Sequence, residues 1–174
     1  MPLLDRTGGA EDRWTRSEGA AIGNIPEAIV PWEVLAAALD AQEPEQVIGV
    51  ILPNSVPFSA LEPFLPRLAL VAIAFPAYSD GRGFSLARQI RRAGFAGEIR
   101  ASGPLIADQF AYALSCGFDT IELPEASAAR QPVPQWLQAR DTFSATYQRG
   151  YSESGRNVLD QRRAARAAAP IAAE

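Results

Sequence analysis

Apolar residues along the chain fall into short β-branched runs separated by amphipathic stretches. Val47–Leu52 (VIGVIL), closed by Pro53-Asn54, predicts a buried strand. Leu68–Phe75 (LALVAIAF), stopped by Pro76, predicts the central strand. A proline-punctuated helical turn is expected between them, around Ser59–Leu65. Upstream, Ala28–Val30 predicts a short strand. Pro31 then stands at the favoured first position of a helix from Trp32 to about Ala41, which Glu43-Pro44-Glu45 breaks. Downstream of the loop SDGRG (79–83), Leu86, Ala87, Ile90, Ala93 and Gly94 mark one helix face, and Arg88, Arg91 and Arg92 the other. Gly94 suits the left-handed residue that closes a helix. Glu98–Ala101 predicts a strand. Gly103-Pro104 is expected to open a helix with the core stripe Ile106, Phe110, Ala113 and Leu114, ended by Gly117. Thr120–Leu123 predicts a further strand, and a last helix spans about Pro134–Tyr147 with Trp136, Leu137 and Phe143.

The repeat of strand and helix implies an α/β fold, with a mostly parallel sheet of about five strands joined by right-handed crossovers. Two architectures fit. A doubly wound, three-layer α/β sheet carries helices on both faces, so its central strands are apolar on both sides. Glu98-Ile99-Arg100-Ala101-Ser102 and Thr120-Ile121-Glu122-Leu123 alternate instead. That favours a partial β/α-barrel with a polar inner face, although the chain is shorter than the ~250 residues of a full barrel. The expected organisation is a loose arm over 1–25 anchored by Trp14, one α/β domain over 26–150, and a flexible Arg/Ala-rich tail over 151–174.

Composition narrows the chemistry. The 174 residues have a net charge of −4, which disfavours nucleic acid as a bulk partner. There is no histidine and no lysine. Histidine-based triads, histidine metal sites and lysine Schiff bases are therefore excluded. Cys116 is alone, so it forms no internal disulfide and cannot by itself hold an iron–sulfur cluster. No cofactor motif and no metal set is evident. The longest apolar run is too short for a membrane helix, and no secretory leader is visible, so the expected location is the cytoplasm.

The stretch FPAYSDGRGFSLARQIRRAGFAGEIRASG, followed by ADQFAYALSCGFD, lies within Phe75–Asp119. It resembles a bacterial domain-of-unknown-function family encoded beside assimilatory sulfite reductase and the sulfonucleotide reductase. The resemblance covers residues 45–123 and, more weakly, the arm Asp12-Arg13-Trp14. The family carries the label of an oxidoreductase of sulfite reduction. The resemblance implies membership of that pathway, with sulfite reductase or another sulfur-assimilation protein as partner, and implies no particular reaction. The family's basic residue before the cysteine is Ser115 here, which argues against an arginine-activated thiolate at Cys116.

The residues offer an anion or partner site at the carboxyl ends of the strands. Asp80, Gly81, Arg82 and Gly83 form a loop between strand and helix, where backbone N–H groups and the helix dipole favour anions. Arg82 adds a planar fork. The competing reading is a tight turn in which Asp80 caps the helix and Arg82 is solvated. Arg100, Ser102 and Glu122 are expected to share that rim, with Arg100 paired to Glu122 or Asp80 as the competing reading. Glu98 is expected to pair with a nearby arginine. Leu105, Asp108, Tyr112 and Cys116 fall on a second helix face, suited to a partner or a second copy of the chain, or to packing under the last helix. The functions that remain are an accessory protein of assimilatory sulfate and sulfite reduction, a small oxyanion- or phosphate-binding α/β enzyme or sensor, and a ligand-free assembly protein.

Overall fold

The computed structural model of the chain describes residues 1–142. Every expected strand forms: β4 (Glu27–Pro31), β5 (Val47–Pro53), β6 (Leu70–Ala74), β7 (Glu98–Ser102) and β8 (Thr120–Glu122). Three more come from the amino-terminal arm: β1 (Leu3–Asp5), β2 (Gly8–Ala10) and β3 (Thr15–Arg16). The sheet therefore has eight strands rather than about five, in the order β2-β1-β8-β7-β6-β5-β4-β3. Strands β3 to β8 are parallel, and β1 runs antiparallel to both its neighbours, so the sheet is mixed. The arm is not the loose segment expected from its glycines. Its strands are two or three residues long, too short to show periodicity.

The sheet curls. β3 and β8 are separated by four strands, yet Arg16 on β3 bonds Glu122 on β8. Residues 11–14 link β2 at one edge to β3 at the other. Five Cα steps reach at most about 19 Å, so the two edges approach each other.

The strand registers sort the side chains into two faces. Leu70 and Ala72 on β6 stand opposite Glu98 and Arg100 on β7, and Arg100 stands opposite Thr120 on β8. Paired residues share a face, so this is the concave one, where Trp14, Ile29, Leu70 and Ala72 form a separate apolar cluster. The opposite parity, including Val50, Ile73, Ile99 and Ile121, joins the large core. The buried residues of the helices join it too: Leu35 and Leu39 of α1 (Leu35–Asp40), Leu61 of α2 (Phe58–Leu61), Phe84 and Ile90 of α3 (Arg82–Arg92), and Phe110 and Ala113 of α4 (Phe110–Cys116). The helices thus cover the convex face, which the alternation in β7 and β8 foretold.

The elements after β7 differ from expectation at their starts. Pro104 does not open the helix. Leu105 turns inward and is fully buried, and a 3-10 turn at Ala107–Gln109 precedes α4. Gly94 (φ +86°) and Gly117 (φ +104°) take the left-handed positions after α3 and α4. A short helix, α5 (Glu125–Arg130), was not anticipated. It precedes α6 (Val133–Thr142), whose Trp136 is buried. The expected continuation of the last helix through Phe143 to Tyr147 and the expected tail lie outside the described residues. No helix among the described residues is long and apolar enough to cross a membrane.

Candidate functional site

The concave face is occupied by ion pairs from the arm. The strand pleat points Glu98, Arg100 and Ser102 of β7 inward, and the short arm crosses above them. Arg100, 1% exposed, donates from Nη1 and Nη2 to the two carboxylate oxygens of Asp12 at 2.7 and 2.9 Å. Its Nε donates to Glu98 Oε1 at 3.0 Å, and Thr120 Oγ1 donates to the same oxygen at 2.6 Å. Arg16 bonds Glu122 and donates to Ser102 Oγ at 3.3 Å. Burial pushes the Asp12 carboxyl up, but the Arg100 hydrogen bonds, the Trp14 N–H and the charges of Arg100 and Arg16 outweigh it, so its pKa is lowered. Burial likewise opposes the charge on Arg100, and Asp12 and Glu98 reverse that. The partner of Arg100 is therefore Asp12 with Glu98, not Glu122 or Asp80. Glu98 does pair with an arginine, as expected. Asp12 is 88 residues from Arg100 in the chain, and no local spacing signals that contact. Trp14 lies beside this network with its Nε1 buried and unpartnered.

The loop before α3 lies elsewhere, on the outer rim at the carboxyl ends of β5 and β6. Asp80 accepts from the backbone N of Arg82 at 3.2 Å and from Arg82 Nε and Nη2 at 3.0 and 2.6 Å. The arginine fork beside Asp80 holds its carboxyl well below the usual range. Partial desolvation opposes this, and the Arg82 N–H and Asn54 add to it. Asp80 thus takes the anion position at the start of α3, and Arg82 is salt-bridged rather than simply solvated. Gly83 is buried against the ring of Phe75, where a Cβ would lie 2.4 Å from Cζ, so close packing explains the second glycine. Arg82 also lines two open clefts. One, of about 440 Å³, runs over Pro31, Glu33, Ile51, Asn54, Phe75 and Arg82. The other, of about 290 Å³, lies between Asn54–Phe58 and the first two turns of α3. Asn54 borders both. It is 7% exposed, and although it lies close to Asp80, its Nδ2 meets no acceptor at hydrogen-bonding geometry. The anion-site candidates are therefore divided. Asp80, Gly81, Arg82 and Gly83 stand on the outer rim, while Arg100, Ser102 and Glu122 are locked on the concave face. Asn54 was missed. Its only signal was the Pro53-Asn54 strand stop.

The face proposed for Leu105, Asp108, Tyr112 and Cys116 is also divided. Leu105 and Cys116 are buried in the core, whereas Asp108 and Tyr112 are exposed. Tyr112 packs edge-on against Phe84, ring centres 5.0 Å apart, and Arg88 lies 5.2 Å from its ring centre. Arg91 has a structural role that sequence reading did not assign. It donates to the carbonyls of Phe95, Gly97 and Gly117 and pairs with Asp119, tying together the loops before β7 and β8. Among the described residues no group of three or more Cys, Asp or Glu side chains is placed to hold a metal ion.

No curated protein matches the chain. A family described as "Bacterial protein of unknown function (DUF934)" matches residues 49–156, which runs from within β5 through α6 and so takes in the rim loop, Asn54, β7 and β8. The arm that braces the concave face lies outside the match. Because the match spans more than half of the 174 residues, the chain belongs to this bacterial family.

Proposed function

We propose that the chain is an accessory protein of assimilatory sulfite reduction that works in the cytoplasm as a partner of sulfite reductase, through its outer surface. The pathway rests on the resemblance over residues 45–123. The surface part rests on one observation: the concave face, where a partial β/α-barrel would open, is filled by Trp14 and by the pairs Arg100–Asp12 and Arg16–Glu122. Arg100 and Glu122, buried and already paired, serve the fold rather than a ligand. What remains accessible is the rim and the helical exterior. The test is affinity purification of the tagged chain from cells grown on sulfate, followed by reconstitution from purified components. Co-purification of sulfite reductase, and its recapture by the purified chain, is the expected outcome. Failure of the purified proteins to associate would remove the proposal.

Asn54 favours a second reading, a small-oxyanion or phosphate site in the rim clefts. A buried donor without an acceptor is costly, and Arg82 stands beside it. Calorimetric titration with sulfite, sulfate and phosphate tests this. Binding that Asn54→Ala abolishes would favour it over the first reading.

A further inference from the structure

The arginines of α3 differ in what they hold. Arg82 is paired with Asp80. Arg91 is committed to three carbonyls and Asp119. Arg88 and Arg92 are exposed, one turn apart on one side of the helix, and neither has an ion-pair partner among the described residues. Arg88 instead lies over the ring of Tyr112, a contact that fixes the ring without neutralising the charge. Tyr112 is 49% exposed although Phe84 anchors its edge to the core. Tyr78 is 56% exposed, and its carbonyl accepts from Gln109 Nε2 at 2.7 Å, which sets it beside the start of α4. Asp108, exposed one turn before Tyr112, lies in the 3-10 turn that precedes α4, and α4 itself carries no acidic residue. The result is a patch of two open tyrosines and two arginines without an ion pair among the described residues, on a chain whose net charge is −4.

We infer that this α3–α4 face docks an acidic surface of a protein partner, and the inference rests on the reading of the chain as a partner of sulfite reductase. Free arginines on an acidic chain select for opposite charge and speed the encounter. Tyrosine and arginine are the residues that dominate protein interfaces, and aromatic groups already held by packing lose little freedom on binding. A nucleic acid would need a broader basic field than two side chains provide.

The experiment uses purified assimilatory sulfite reductase from the same cells as probe, immobilised, with the full chain in solution. Affinity is measured for the parent, Arg88→Glu/Arg92→Glu, Tyr112→Ala, and Arg130→Glu, an exposed arginine on α5 as charge control. Thermal melts check that each variant folds. The double charge reversal should weaken binding by at least about tenfold, and Tyr112→Ala should weaken it too. Arg130→Glu should bind like the parent, and added salt should weaken the parent's affinity. A folded double reversal that binds like the parent, or an equal loss in Arg130→Glu, overturns this face and leaves the proposed function standing. No binding by the parent overturns both. A parent that ignores the reductase but binds a single-stranded oligonucleotide, with that binding lost on charge reversal, overturns the protein partner in favour of nucleic acid.

Discussion

Arg82 opens the helix after β6 and Arg100 lies within the next strand, β7; both are salt-bridged, yet they serve opposite ends. Arg100 is sealed on the concave face, with both terminal nitrogens on Asp12 and Nε on Glu98. Arg82 stands on the outer rim, 62% exposed, held by a neighbour two residues away. The first pair closes a contact between distant segments and so stabilises the curl of the sheet. The second shapes a loop that solvent already reaches. An ion pair reveals its role through burial and through the sequence distance it bridges, not through its geometry alone.

Arg100→Ala removes the centre of the inner brace. The lost cation is 1% exposed, and the partly buried carboxylates of Asp12 and Glu98 are left without it, which should cost about 3–5 kcal/mol. For a chain of this size that lowers the melting temperature by roughly 6–20 °C, read by chemical and thermal denaturation. A loss within experimental error would show that the concave face does not brace the fold.

Gly103 sharpens the same contrast at the end of β7. It has φ +144°, and a Cβ there would stand 2.2 Å from the carbonyl oxygen of Phe75. Gly103→Ala should therefore cost at least about 1–3 kcal/mol from the backbone alone, with steric conflict added. Gly9→Ala, where a Cβ meets nothing within 4 Å, is the matched control and should be nearly neutral.

The acid limb of stability separates the two faces more finely. The Asp12 carboxyl titrates below its ordinary value of 3.8 in the folded chain. The unfolded chain therefore binds its proton first as pH falls. The contribution is complete above about pH 5 and is lost as pH drops through 4 and below. Asp12→Asn should flatten the fall in unfolding free energy between pH 5 and 3, measured by urea denaturation. An unchanged slope would remove Asp12 from the brace.

Arg82→Ala should produce the smallest effect, a melting temperature close to the parent's, because Arg82 is 62% exposed and Asp80 keeps the backbone N–H of residue 82. A large drop would make the rim loop structural as well.

Legibility followed length and locality. The alternation in Glu98–Ser102 and Thr120–Glu122 showed that helices cover one face only, and Gly94 and Gly117 marked their helix ends. The arm was illegible because Leu3–Asp5, Gly8–Ala10 and Thr15–Arg16 are too short for periodicity, and β1 and β3 also pair beyond the arm, β1 with β8 and β3 with β4. Arg100 was recognisable as an inward charge, but its partner lies in that same arm. Asn54 read as a strand stop because its unpartnered amide is a property of packing, which sequence does not display.

The most direct test of the division between inner brace and outer surface is the affinity of folded Asp12→Asn for purified sulfite reductase, measured below its melting transition. The expected result is the parent's affinity together with lower stability. Lost affinity in a fully folded Asp12→Asn, or no affinity in the parent, would contradict that division.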